Sequence, residues 1–533
     1  MMVKISKKES ELFIFDQKNN LLKSFRLKEN YQRALELLQK LNSVETQKKL
    51  PVYQEKLFQG KSVWSFFQHS IFYNSLCPYV QYEPAIKFLL EKKIEKVVIE
   101  KNLDELAGYL KINGFKVKDG QNKIKKTLIS LGSFFIKIIA LKVSLLAITK
   151  LRLKKTKVLV YTPDRFSQQY GCDFRFFPIY KYLRKKQIHF SETFYSVFGM
   201  RFLKNLSQRR RLALYLNAFP VFPAKKSLTS QYNLSIFQPH NQRYFNHLLK
   251  EISWRSKNSL KRIKILTRIL KKTEVKVLIS LDDVRYTNEL ILACSLNNIK
   301  TYGFQHGQFT KYHVGWMNYN IPKELSITFD KLFVWNEYWK RILLSYSVQY
   351  NEENVEIGGL LRELELIDYK KKDFKFKKMS DLGILVPYET FAPKKEVGDF
   401  VNRFIDLGIK IFFKTRPDLS PEYQFNQYNI KNKEKIEIVK DIKADVLSKI
   451  DAVAGTYSTF LNEMVFYDVP LLILRTSLDL GHYLIEEDLG FLMSKDFKPD
   501  EILDYIKNYQ SKKNYAWPPN KVTLEETLDR ICL

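Results

Sequence analysis

A chain of 533 residues that is 45% hydrophobic and 14% aromatic, with only 17 prolines and 18 glycines, has apolar surface to bury and length for about two to four domains; a disordered or collagen-like protein is excluded. Its formal charge of +32 calls for an anionic partner or surface, because so much like charge otherwise repels itself. Zinc-finger spacings, basic-zipper heptads and RNA-binding aromatic signatures are missing, so nucleic acid fits less well than a membrane surface and a phosphorylated substrate.

The N-terminal stretch opens on Met1-Met2-Val3-Lys4 without the apolar core of a secretory signal, and the expected location is the inner, cytoplasmic side of a cell membrane. Glu11 to Asp16 and Leu21 to Leu27 read as two strands flanking Asn19-Asn20, a hairpin. Lys96 to Ile99, Leu103 to Leu110 and Phe115 to Val117 follow as strand, helix and strand.

Thr127 to Thr149 is an apolar run of 23 residues interrupted by Lys137 and Lys142, about 35 Å long as a helix. Lys123, Lys125 and Lys126 precede it, and Lys150, Arg152, Lys154, Lys155 and Lys157 follow it. Cations at both ends favour keeping both on the same side of a bilayer. Ser130, Ser133, Lys137 and Ser144 share one helical sector while Leu, Ile and Phe fill the rest, which suits a helix or bent hairpin lying in the membrane interface; the plainer alternative is a core or lobe-bridging helix.

Lys157 to Tyr161 restarts the strand pattern. A basic helical region from Asn246 to Lys272 leads into the buried-type strand Val275 to Ser280, which ends at Leu281-Asp282-Asp283. A helix from Glu289 to Leu296 and a strand from Lys300 to Phe304 come next, the latter stopping at Gln305-His306-Gly307. From Lys331 a second series of short apolar strands begins: Leu332 to Trp335, Val355 to Ile357, Leu382 to Val386, Lys410 to Phe413, Ile436 to Val439, Ala452 to Ala454 and Leu471 to Leu474. Helices such as Lys394 to Leu407 and Phe460 to Tyr467 lie between them. The alternation predicts an α/β protein of two Rossmann-like lobes with a cleft between them: an acceptor lobe over 1–325 carrying the apolar insertion 127–149, a nucleotide-donor lobe over 326–515, and a tail helix over 516–533 returning to the first lobe.

Gly-x-Gly-x-x-Gly, Walker-type and Asp-x-Asp signatures are absent, so donor phosphates would be neutralised by helix N-termini and cations. Gly455-Thr456-Tyr457-Ser458-Thr459 follows a strand and opens a helix, presenting backbone N–H groups and hydroxyls to a diphosphate; Glu463, one turn on, can accept from a ribose hydroxyl. Plain capping by Ser458 or Thr459 is the structural alternative. Lys414 and Arg416 sit where a strand emits its loop, placed for phosphate or as solvated surface cations. Gly358 permits close backbone approach to a ligand or an ordinary turn. His306 is suited to accept a proton from an acceptor hydroxyl, with Asp282 and Asp283 orienting it or acting as the base; a structural histidine and a helix cap are the alternatives. The four cysteines, Cys77, Cys172, Cys294 and Cys532, are widely spaced, with no thiolate metal site or disulfide framework.

Gln305-His306-Gly307, Lys414-Thr415-Arg416-Pro417, and Ala454 to Thr459 followed by Leu461-Asn462-Glu463 and Val469-Pro470-Leu471 together resemble the bacterial surface-carbohydrate transferases that include capsule polysaccharide biosynthesis proteins and CDP-glycerol glycerophosphotransferases. The resemblance covers Val275 to Phe491. It implies a GT-B fold, a donor nucleotide held by the C-terminal lobe, and no metal or other cofactor. The partners it implies are a nucleotide-sugar and a lipid-linked or polysaccharide acceptor, with the enzyme peripheral on the membrane. Arg416 stands where those relatives have histidine, which keeps the charge but not a base or stacking ring.

Overall fold

The computed structural model describes residues 2–8, 11–27, 30–54, 57–100, 103–119, 123–163, 170–196, 198–208, 212–219, 224, 232–281, 285–359, 361, 378–390, 392–416, 419–478, 483–512 and 523–532. The chain divides into two compact units, Met1–Leu361 with Thr523–Leu533, and Arg362–Val522.

The first unit contains two main sheets. β1 (Met2–Lys8), β2 (Glu11–Phe15), β3 (Leu21–Arg26), β4 (Lys96–Ile99) and β5 (Lys116–Asp119) form a mixed sheet in the order β3-β2-β1-β4-β5. The β2–β3 hairpin turns where Asn19 adopts φ 63° and the Asp16 carboxylate accepts from the Lys18 and Asn20 amides, an Asx-type brace.

The larger sheet of this unit is parallel throughout. Its strands are β6 (Val158–Pro163), β7 (Phe190–Tyr195), β8 (Ala213–Tyr215), β9 (Val277–Ser280), β10 (Lys300–Phe304), β11 (Lys331–Val334) and β12 (Val355–Ile357), ordered β8-β7-β6-β9-β10-β11-β12. The chain thus works outward from β6 to one edge, then returns to β9 and works outward to the other. This is the doubly wound pattern, and its switch point lies between β6 and β9. β9 is buried along its whole length, as a sheet covered on both faces requires.

Leu332 to Trp335 and Val355 to Ile357, read from the sequence as the opening of the second lobe, complete this first sheet instead, with Tyr302 in register with Lys331 and Leu332 with Val355. The break between units consequently falls after Leu361 rather than at 325/326. Alternation of strand and helix continues across the break, so periodicity carries no mark of which sheet a strand joins.

α1 (Lys123–Leu153) covers the open edge of this sheet: the Tyr215 amide of edge strand β8 donates to Ser144 Oγ at 3.0 Å, satisfying a backbone group that an exposed edge would leave bare. Among the described residues no helix is long and apolar enough to cross a membrane. Other helices of the unit include α2 (Phe177–Lys185), α3 (Pro239–Leu270) and α4 (Arg285–Ser295). α3 and α4 are locked by a buried ion pair, Arg262 Nη1 to Glu289 Oε2 at 2.6 Å. Arg262 also donates through Nε to the Leu216 and Phe219 carbonyls, so neither charge is left unpaired.

The second unit holds one parallel sheet of β13 (Gly383–Pro387), β14 (Lys410–Lys414), β15 (Ile436–Val439), β16 (Ala452–Gly455), β17 (Leu471–Leu474) and β18 (Phe491–Met493), ordered β15-β14-β13-β16-β17-β18. It has apolar cores on both faces, one containing Ile384, Val386 and Phe404, the other Leu385, Val453 and Leu461. α5 (Lys394–Asp406) lies on the first face and α6 (Thr459–Phe466) on the second. Its switch point lies between β13 and β16. The last helix, α7 (Leu524–Cys532), belongs to the first unit, where Tyr182 Oη of α2 donates to Asp529 at 2.6 Å and Leu528 enters the core.

Candidate functional site

The strand ends of the second unit carry most of the polar groups singled out in the sequence. β16 runs out at Gly455, and the turn Thr456 to Ser458 opens α6. Ser458 Oγ caps the helix by accepting from the Phe460 amide at 3.2 Å, the capping role weighed from the sequence. Thr459 is the first helical residue and Glu463, half-buried, lies one turn later.

The N–H groups of that turn were expected to face a phosphate. In this structure they converge on the carboxylate of Glu389, which follows β13. Glu389 Oε2 accepts from the Thr456 amide at 2.8 Å and from Thr456 Oγ1 at 2.6 Å; Oε1 accepts from the amides of Tyr457 at 3.0 Å and Ser458 at 2.7 Å. The turn is an anion cradle, and an anion of the chain's own fills it. Burial pushes the Glu389 carboxyl above its ordinary range, while the Thr456 hydroxyl and the three amides act in the opposite direction. A Cβ at Gly455 would lie 3.2 Å from Glu389 Oε1 and 3.1 Å from Leu461, so one of these side chains would have to shift to admit it.

The segment after Glu389 is held by two further groups. The Glu389 amide donates to Tyr428 Oη at 2.8 Å. The Lys394 ammonium, at the start of α5, donates to the carbonyls of Glu389, Thr390 and Ala392 and lies 5.0 Å from the Tyr388 ring centroid. On the neighbouring strand end, Arg416 Nη1 donates to Thr390 Oγ1, and the Gln424 side chain fixes the Arg416 backbone, accepting from its amide at 3.0 Å and donating to its carbonyl at 3.2 Å. Lys414 Nζ donates to the Lys440 carbonyl at 3.2 Å and sits 5.6 Å from the Phe460 ring centroid. Lys414, Arg416 and the turn 455–458 therefore lie on three adjacent strand ends of one sheet, β14, β13 and β16, with Arg416 meeting β13's end through Thr390. Pro417 lies outside the described residues.

Sequence reasoning missed Glu389, Thr390, Lys394 and Tyr428. The available signal was Pro387-Tyr388-Glu389: a carboxylate directly after a fully buried strand, at the place in the order where a doubly wound sheet opens its crevice.

In the first unit, His306 follows β10 and its Nδ1 lies 3.0 Å from the Leu281 carbonyl oxygen. A carbonyl only accepts, so Nδ1 is the donor in this contact. Asp282 and Asp283 lie outside the described residues. Gly358 belongs to this unit, not to the one holding Lys414 and Arg416. A Cβ on it would lie 2.6 Å from Phe333 Cβ, and its carbonyl accepts from Thr527 Oγ1 at 3.3 Å, so its close approach is to Phe333 and the tail helix. Among the described residues no three His, Cys, Asp or Glu side chains gather into a set that would hold a metal ion.

A scan of protein-family models finds no match, and a search of curated proteins finds no relative. Solved structures show distant likenesses. The UDP-GlcNAc 2-epimerase of Methanocaldococcus jannaschii aligns at a TM-score of 0.43 and 15% identity over 70% of this chain and 99% of its own. Acinetobacter baumannii MurG aligns at 0.41 and 10% over 70% and 99%, and the glycosyltransferase of kitacinnamycin at 0.36 and 10% over 70% and 94%.

Proposed function

We propose that this chain is a glycosyltransferase that moves a sugar from a nucleotide-sugar donor to a lipid-linked or growing surface-polysaccharide acceptor, without a metal and with inversion. The observation that carries the reading is the gathering of Lys414, Arg416 and an anion cradle on adjacent strand ends at the switch point of the second sheet, the place where open α/β sheets receive ligands. In this reading the cations and the hydroxyls of Ser458 and Thr459 take the donor phosphates, Thr456 being held by Glu389, and Glu463 takes the ribose. The acceptor hydroxyl attacks the anomeric carbon, the carbon–oxygen bond to phosphate breaks with its electrons going to the leaving nucleotide, and the hydroxyl proton passes to a general base, the role proposed for His306. Stabilising the leaving phosphate supplies much of the rate. Transfer of a polyol phosphate from a CDP-linked donor would use the same cations and hydroxyls and differs in product mass.

A second reading, a non-catalytic partner in polysaccharide assembly, is favoured by one observation: the cradle is filled by Glu389. Calorimetric titration of the full chain with UDP, CDP, CMP, GDP and their sugars separates the two. The transferase reading expects one nucleotide to bind, and Arg416→Ala to weaken it about ten- to a hundredfold, the worth of a charge-assisted hydrogen bond. Silence across the panel in folded protein, with binding gained in Glu389→Ala, would mean a closed cradle and a non-catalytic role.

A further inference from the structure

Helix α1 is inside out by the ordinary rule for a surface helix. Its buried positions are mostly small, with Ala140, Ser144 and Ala147 at or near zero exposure, joined by Ile148 and Leu151. Lys137 and Ser144, read from the sequence as part of the polar sector, lie on this side: Ser144 Oγ binds the β8 edge, and Lys137 is half-buried with its ammonium held below the usual range first by burial and then by Arg262. The large apolar side chains point the other way. Phe135 and Leu153 are 65% and 78% exposed, and Ile138, Ile139, Leu145 and Leu146 are exposed between them. With Lys142, Thr149 and Arg152, these positions recur every three or four residues and fall within roughly 140° of the helix circumference, as a stripe about 27 Å long.

From Lys123 to Lys157 the sequence has ten lysines and arginines and no aspartate or glutamate. Lys142 and Arg152 lie in the stripe, and Lys154, Lys155 and Lys157 continue beyond it, all exposed. We infer that the outer face of α1 docks in the plane of an anionic lipid surface, the apolar side chains entering the acyl boundary while the long cationic stems reach the headgroups. The charge decides among occupants: a two-fold contact between copies through this stripe would set cations against cations, whereas anionic headgroups complement them. In this inference the helix lies along the surface. The inference gives the proposed transferase a route to a lipid-linked acceptor and in that respect rests on that reading, but its test does not depend on it.

The experiment is flotation of the full chain with vesicles of phosphatidylcholine alone and with phosphatidylglycerol added, for wild type, Ile139→Ser/Leu146→Ser and Lys142→Gln/Arg152→Gln, each also assayed for thermal midpoint, oligomeric state and nucleotide binding. Wild type is expected to float with the anionic vesicles. The apolar double variant should lose affinity about tenfold or more, and the charge variant should lose its preference for anionic lipid, with thermal midpoint and nucleotide binding unchanged because the substituted side chains are exposed. Folded wild type that stays off anionic vesicles overturns the inference. So does a serine variant that dissociates a dimer, or one whose thermal midpoint collapses, since the face would then be covered by a second copy or by the chain itself. Loss of nucleotide binding without loss of flotation bears only on the proposed function.

Discussion

Two side chains show how burial sets chemistry one residue at a time. Glu389 is a carboxylate surrounded by donors, so its removal leaves three amides without their acceptor. His313 is the opposite case, a base kept neutral. Its Nδ1 accepts from the Thr310 amide at 3.0 Å, and burial, reinforced by His69 and His306, pushes the imidazole down to about 4 from 6.5. Because the folded value is the lower, the stabilisation is complete above the free value of 6.5 and drains away as pH falls toward 4. The unfolded chain takes up the proton first. His313→Asn retains an acceptor for Thr310 and does not titrate. Urea denaturation of both proteins should therefore show wild type losing about 1–2 kcal/mol relative to the variant between neutrality and about pH 5, allowing for the ring's partial exposure. Parallel pH profiles would show that His313 titrates normally.

At the scale of elements, the second unit depends on how closely α5 approaches the helix that supplies Tyr428. Gly398 is the contact: a Cβ there would fall 1.6 Å from the Tyr428 carbonyl oxygen. The contact sits behind the site, since Tyr428 Oη receives the amide of Glu389. Gly398→Ala favours helix on propensity alone by about 1 kcal/mol, yet it must push Tyr428 away. The expected net effect is a loss of about 3 kcal/mol or more, read as a lower urea midpoint, with weaker binding of any ligand at the β13 end. A variant as stable as wild type would show that the helices can separate without disturbing the sheet. The elements themselves were readable in the sequence: β14, β16 and β17 lie within a residue of the short apolar runs at 410–413, 452–454 and 471–474, because a strand covered on both faces must be continuously apolar, and the edge strand β15 matches 436–439 although Glu437 and Ile438 are exposed. The pairing of Glu389 with Thr456 to Ser458 was not readable. It joins groups 67 to 69 residues apart, and although Glu389 follows a buried strand directly, its partner is not evident until the order of β13 and β16 brings the strands together.

The whole molecule is arranged as one unit inserted into another. The chain leaves the first unit after Leu361, beyond its last strand, and re-enters at Thr523 to form α7. Thr527 Oγ1 of α7 donates to the carbonyl of Gly358, so exit and return lie side by side, the geometry at which an inserted domain is tolerated. The domain limits were misplaced in the sequence because β11 and β12 resemble the strands that follow them, and only the pairing of β11 with β10 and of β12 with β11 assigns them to the earlier sheet. Each unit has its own doubly wound sheet and its own cores, and the inserted segment contains every residue of the Glu389 cradle together with Lys414 and Arg416. Residues 362–522 expressed alone are therefore expected to unfold in one cooperative transition, and the remainder, with the insertion replaced by a short flexible linker between Leu361 and Thr523, to keep its own separate transition. Circular dichroism melts of the two pieces and of the full chain test this. If the inserted piece is unfolded while the full chain is folded, its sheet depends on contacts with the rest of the molecule, and the cradle cannot be treated as the property of one unit.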